Sequence, residues 1–205
     1  MTLLKHHSGE QTPTAAHRSR KLMLMPPLSY MQIDTPVGTL YVAYSGTTVR
    51  YTDLAKSAEN FLRACETRFN VSPQQAEDPP IRLLRQIHDF WEGKRRFMGA
   101  IDLSTLSQFQ QRVLYAVMAI PRGEVRTYKG IAQEVGAPRA CRAVGTALAK
   151  NPIPILIPCH RVVRADYSIG EYGCGGPAKK QEILQYEGID VAYLKRLTRQ
   201  GMRFE

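Results

Sequence analysis

The chain has 205 residues, 43% of them hydrophobic and 22% charged, with 28 Lys and Arg against 18 Asp and Glu for a formal net charge of +10. At about 150 residues per domain, this length holds one domain or two small ones, and the composition is too apolar for a wholly disordered chain. No apolar run approaches the roughly 18 residues of a spanning helix, so no membrane partner is expected.

The opening MTLLKHHSGEQ has no apolar stretch of signal-peptide length. Cys65, Cys141, Cys159 and Cys174 are too scattered for a disulfide scaffold and read as reduced thiols of a cytoplasmic protein. The histidines (His6, His7, His17, His88 and His160) do not cluster with cysteines at ligand spacing, so no metal is expected. No phosphate-cradling glycine loop is present, and we expect no cofactor.

In chain order, residues 1–27 read as a mobile tail ending in Met25-Pro26-Pro27. The alternating MQIDTPVGTLYVAYSG predicts a hairpin punctuated by Pro36-Val37-Gly38, with a third strand at TTVRYTDL. Residues 57–69 place Phe61, Leu62, Cys65 and Phe69 at helical spacing behind Ser57 as N-cap. Residues 81–92 repeat the pattern with Ile81, Leu84, Ile87, His88 and Trp91, His88 being expected half-buried, and 93–107 read as a linker with one short strand. The expected class is therefore α+β. A small N-terminal unit of antiparallel sheet and helices spans 28–100, and a mainly helical unit spans 101–205.

In the second unit a helix is predicted over 108–119 and breaks at Pro121-Arg122-Gly123. Thr127 caps a short helix, YKGIAQEV, with Gly136 at its left-handed C′ position and Pro138 in the first turn of the next helix, PRACRAVGTALAK. Two helices joined by a three-residue turn containing glycine read as a helix-turn-helix. The second helix is slim, with Ala140, Ala143, Gly145 and Ala147, and Arg139 and Arg142 three apart share a face. Residues 101–164 carry nine basic against three acidic side chains, a field that favours a polyanion such as nucleic acid.

The chemistry centres on NPIPILIPCHRVVR. Its prolines enforce a stiff, non-helical, buried segment that presents Cys159 in a fixed place, with His160 next to it. A free thiol is only a few per cent thiolate at neutral pH, so a base raises its reactive fraction, and a carboxylate would orient the imidazole. Glu171, Glu182 and Glu187 are the candidates. Cys65 reads as a core thiol, Cys141 lies in the small helix, and Cys174 sits in the loop EYGCGG, which leaves its exposure open.

ILIPCHRVV resembles the acceptor motif of the O6-alkylguanine-DNA alkyltransferases. The resemblance extends upstream through FQQRVLYAVMAIPRGEVRTYKGIAQEVGAPRACRAVGTALAKNP and downstream through GEYGCGGPAKKQEILQYEG; TPVGTLYVA resembles the family's N-terminal domain more loosely. It implies that Cys159 accepts the alkyl group and that His160 acts as base through a water, oriented by Glu187. It further implies that Asn151 stabilises the turn between the recognition helix and the cysteine segment. Arg142 would fill the gap left by an extruded guanine, with Arg139, Ala140 and Ala143 on the same DNA-facing surface. Tyr128 would press the 3′ phosphate and protonate the leaving base. Tyr172, Gly173, Val162 and Pro158 would line the guanine pocket. The stretch after Tyr172 departs from the family's pattern, and Cys174 is unusual there. The zinc ligands of some relatives have no match.

The implied partner is double-stranded DNA carrying O6-alkylguanine, with O4-alkylthymine a second candidate, bound by a monomer whose cooperativity on DNA stays open. The alternatives are a recognition-only relative, a Cys-His hydrolase and a helix-turn-helix regulator. The first lacks an acceptor cysteine, the second needs an oxyanion device that is not evident, and the third needs dimerisation heptads that are absent.

Overall fold

A computed structural model describes residues 26–199; the tail expected over 1–27 lies outside them except for its last two prolines. Strands β1 (Leu28–Thr35) and β2 (Gly38–Ser45) form the predicted hairpin, paired from Thr35↔Gly38 to Leu28↔Ser45. Strand β3 (Thr48–Asp53) adds antiparallel to β2, with a register shift between Ala43 and Tyr44. A two-residue strand β4 (Gln74–Gln75), not foreseen in the polar loop, pairs parallel with β1 to give the order β3-β2-β1-β4.

Both faces of this sheet are covered, as the two-residue alternation of strands allows. Tyr30, Tyr41 and Ala43 pack on Phe61 and Cys65 of helix α1 (Ala58–Phe69). The Tyr41 and Phe61 rings stack at 5.2 Å. Leu40, Val42 and Tyr44 point the other way, into the main core. Ser57 caps α1 as expected, accepting from the Asn60 amide. Helix α2 (Ile81–Trp91) buries Leu83, Ile87, Phe90 and Trp91. Its apolar face is therefore rotated from the predicted one: Ile81 is 70% exposed and His88 is exposed, not half-buried. The predicted short strand in 93–107 is a single bridge, Ile101 to Val49.

Helix α3 (Gln108–Met118) opens with a capping box between Ser107 and Gln110. Strand β5 (Arg126–Thr127) leads directly into helix α4 (Tyr128–Glu134), because Thr127 both ends the strand and accepts from the Gly130 amide at 2.9 Å. Helix α4 ends before Gly136, at φ 74°. Helix α5 (Cys141–Ala149) starts later than predicted. The Ala137 amide bonds back to Ala132 and the Ala140 amide to Ala137, which closes turns in place of a first helical turn at Pro138. The connection thus runs over Val135–Ala140, longer than three residues. Arg139 and Ala140 belong to it and share no helical face with Arg142.

Strand β6 (Val162–Val163) pairs parallel with β5, Thr127 opposite Val163, which sets the start of α4 beside the cysteine segment. Helices α6 (Gly176–Tyr186) and α7 (Val191–Arg199) complete the fold. One core runs through both units, from Val42 and Phe97 to Leu114, Ile131, Val144, Ile157 and Ile183. Among the described residues no helix is long and apolar enough to cross a membrane.

Candidate active site

Residues 151–163 are buried throughout. The segment folds on itself through a bond from the Ile157 amide to the Ile153 carbonyl at 2.9 Å. Ile155, β-branched and buried, is held at φ 75°, a conformation that costs about 1–3 kcal/mol and persists only where its surroundings impose it. Asn151 imposes part of it. Its Oδ1 accepts from the Ile153 amide at 3.0 Å, and its Nδ2 donates to the Ile157 carbonyl at 3.0 Å and to Cys159 Sγ at 3.2 Å. One side chain thereby braces the turn and touches the sulfur it presents.

Cys159, His160 and Arg161 form a single 3-10 turn after Pro158. The turn carries His160 and Arg161 into the interior, where both meet Glu187 at the end of α6. His160 Nε2 lies 3.1 Å from Glu187 Oε1. Arg161 donates from Nε to Oε2 at 2.9 Å and from Nη2 to Oε1 at 2.7 Å, and its Nη1 reaches the Ile120 carbonyl at 2.6 Å. Its guanidinium also lies 5.6 Å from the Phe90 ring centre. Of the three carboxylates open at the sequence level, Glu187 is the one joined to His160. Glu182 pairs with Lys179, and Glu171 is exposed at the cavity rim.

Burial would raise the Glu187 carboxyl, but the hydrogen bonds and charges of His160 and Arg161 bring it down to about 2. Burial pushes the His160 imidazole below its ordinary range, and Glu187 only partly opposes it. Burial pushes the Cys159 thiol up, with the Asn151 bond and the Lys180 charge opposing. The resting site is therefore a neutral thiol, a neutral imidazole and an ionised carboxylate. A neutral imidazole donating from Nε2 to Glu187 keeps a lone pair on Nδ1, and that atom is buried without a protein hydrogen bond.

Cys159 opens on a cavity of about 530 Å³. The α5 wall is a helical stripe of Cys141, Gly145, Leu148 and Ala149, with Arg142 beside it, and Tyr128 and Lys129 close the side at the start of α4. Tyr172 and Gly173 line the cavity with Arg164, Ala165 and Glu171. Tyr172 is 7% exposed, and its hydroxyl has no protein partner. Burial holds the phenols of Tyr128 and Tyr172 above their ordinary value, so both remain donors.

Cys159, Tyr128, Arg142, Tyr172 and Gly173 meet at this cavity, with Asn151, His160 and Glu187 directly behind the sulfur. Pro158 and Val162 are buried beside Cys159 and do not line it. Ala143 is exposed on α5, and Arg139 and Ala140 lie in the preceding turn. Arg161 counted toward the basic surface in the sequence, yet it is 2% exposed and pairs with Glu187. Lys180 is fully buried and donates to the Val162 carbonyl at 2.6 Å; burial lowers it to about 8 against the pull of Cys159. Nothing in the sequence distinguished either residue from a surface cation. Cys174, whose exposure the loop left open, is buried at 5%.

A thiol kept protonated at rest, with a proton acceptor behind it and one cavity in front, suits a protein that reacts at sulfur with a group delivered from outside. The fold places that cavity beneath an exposed arginine-bearing helix. A family profile described as the DNA-binding domain of 6-O-methylguanine DNA methyltransferase matches residues 108–189. The methylated-DNA–protein-cysteine methyltransferase of Mycobacterium tuberculosis (strain ATCC 25618 / H37Rv) is 36% identical over 161 residues, covering 78% of this chain and 92% of that protein. The crystal structure of M. tuberculosis OGT in complex with DNA aligns with TM-score 0.62 at 34% identity, covering 78% and 93%. The O6-methylguanine-DNA methyltransferase of Pyrococcus kodakaraensis strain KOD1 aligns with TM-score 0.61 at 25% identity, covering 79% and 99%. The chain belongs to the methylated-DNA–protein-cysteine methyltransferase family.

Proposed function

We propose that this protein repairs DNA by moving the alkyl group of an O6-alkylguanine onto Cys159, one group per chain. The observation that carries this reading is the placement of Cys159 Sγ on the cavity wall, bonded to Asn151 and backed by the His160–Glu187 pair. The O6 substituent of a paired guanine is out of reach in the duplex, so the base must leave the stack at a cost of a few kcal/mol. Arg142, exposed on α5 at the cavity mouth, fills the gap. Tyr128 presses the 3′ phosphate. Arg139, Ala140 and Ala143 lie along the duplex, where small side chains permit close approach. The double helix carrying the lesion is the partner, a single chain suffices to bind it, and residues 101–205 hold both the DNA surface and the acceptor.

The extruded base occupies the cavity between Tyr128 and Tyr172, whose unpartnered hydroxyl donates to it, with Gly173 alongside. His160 Nδ1 then takes the Cys159 proton through a water. The thiolate attacks the alkyl carbon, a C–S bond forms, and the C–O6 bond breaks with its electron pair left on guanine. Guanine is protonated by Tyr128, and the proton held by His160 restores the phenol. The thioether has no good leaving group, so the reaction ends there.

A single-turnover assay on a duplex with one O6-methylguanine tests the reading. The parent restores guanine in the DNA, while Cys159→Ala restores none and binds the duplex within a few-fold of the parent. Binding weakens steeply with added salt, as phosphate contacts require. A Cys159→Ala protein that still restores guanine would refute the assignment.

A further inference from the structure

The alkyl-transfer chemistry leaves Cys174 unused, yet its buried sulfur makes two hydrogen bonds. It sits at the apex of a tight turn closed by the Gly176 amide on the Tyr172 carbonyl at 3.1 Å, with Gly175 and Gly176 at φ 93° and 77°. Its sulfur reaches across the molecule to the N-terminal sheet. The thiol donates to Asp53 Oδ1 at 3.2 Å and accepts from the Leu54 amide at 3.4 Å. The second Asp53 oxygen accepts from the Tyr51 hydroxyl at 3.4 Å, which fixes the carboxylate.

The residue before Asp53 grips the segment that leads to Cys159. Thr52 is fully buried; its amide donates to the Pro152 carbonyl at 3.1 Å and its hydroxyl to the Pro154 carbonyl at 2.6 Å. Three consecutive residues at the end of β3 therefore grip two segments that have no covalent connection to the sheet nearby. One leads to Cys159, and the other begins with Tyr172.

Building on the alkyl-transfer reading, we propose that Cys174 is a positioning residue: clasped by Asp53 and Leu54, it sets Tyr172 against the cavity, so that the N-terminal sheet governs guanine recognition. Tyr172 is buried on the cavity wall, its phenol beside Cys174 and its ring 6.3 Å from that of His160, and its orientation rests on the turn that Cys174 anchors. A misplaced wall weakens binding of the base while the sulfur chemistry behind Asn151 and His160 stays intact.

The test measures transfer from a short single-stranded oligonucleotide carrying one O6-methylguanine, beside iodoacetamide labelling of Cys159, which needs no guanine recognition. In Cys174→Ala the substrate concentration for half-maximal rate rises about five- to tenfold, the scale of one to two lost hydrogen bonds. The limiting rate and the labelling rate change little, and the melting temperature falls by only about 2–4 °C. Cys174→Ser, which keeps a donor and an acceptor, recovers most of the loss, and Asp53→Ala adds little to Cys174→Ala. A parent that transfers while Cys174→Ala matches it in half-maximal concentration overturns the positioning role alone. Parallel losses in transfer, labelling and melting temperature that serine does not relieve also overturn it, marking Cys174 as structural. A parent that transfers no methyl group overturns the alkyl-transfer reading, and the positioning role falls with it.

Discussion

The sheet around Cys65 and the turn around Cys159 bury their thiols to a similar degree, at 0% and 7% exposure. Burial pushes both thiols up, Cys65 to about 12. The difference lies in what surrounds the sulfur. Cys65 packs among Tyr30, Tyr41, Ala43 and Phe61 and lines no part of the cavity before Cys159. Cys159 has a donor in Asn151, a lone pair on the neutral His160 behind it and a cavity in front. A buried thiol becomes a nucleophile when its proton has somewhere to go and an electrophile has a way in. A lowered resting pKa is a separate route to the same end, and neither thiol uses it.

The largest way to break this contrast is to remove the charge that anchors the Cys159 side. Glu187→Gln leaves Arg161 buried without its anion and costs about 3–5 kcal/mol in a denaturant titration. It also slows transfer by releasing the His160 ring. Cys65→Ala leaves transfer unchanged. A Glu187→Gln protein as stable as the parent would mean that the buried network contributes nothing.

Next in size is the way in. Arg142→Ala slows transfer from duplex DNA by about 10- to 100-fold, because the few kcal/mol of unstacking lose their compensation. Reaction with the free modified base stays within about twofold. Equal losses on both substrates would remove Arg142 from base extrusion.

The smallest effect is the pH response of stability. His160 is depressed in the folded protein, so the unfolded chain binds the extra proton first, and stability falls as pH drops through its unfolded value of 6.5. Glu187, at about 2 folded against 4.5 unfolded, adds a further loss as pH falls through that window. Melting temperatures recorded from pH 7 to pH 5 decline in the parent and less so in His160→Phe. A flat profile in the parent would show that folding does not depress the His160 imidazole, and a rise toward pH 5 would show that the fold holds it charged.

The hairpin, the third strand, the caps at Ser57 and Thr127 and the helices over 58–69 and 108–118 were legible because alternation, periodicity and capping chemistry are local. Strand β4 was not, since two glutamines pair with β1 only through tertiary placement. The start of α5 was misread because Pro138 suits a turn as well as a first helical turn. Cys159 and His160 stood out by their proline frame. Arg161, Lys180 and Cys174 did not, because a one-dimensional charge count treats every cation as surface, and a glycine-rich loop gives no sign of the sheet edge that buries its cysteine.

The central claim is that one alkyl group ends on Cys159. Intact mass followed by peptide mapping, after incubation with excess duplex bearing one O6-methylguanine, tests it most directly. The account predicts the mass of a single methyl group per chain, located on the peptide containing Cys159, with no further gain on longer incubation. A methyl group on Cys65, Cys141 or Cys174, or no gain despite tight binding to the lesion, would contradict it.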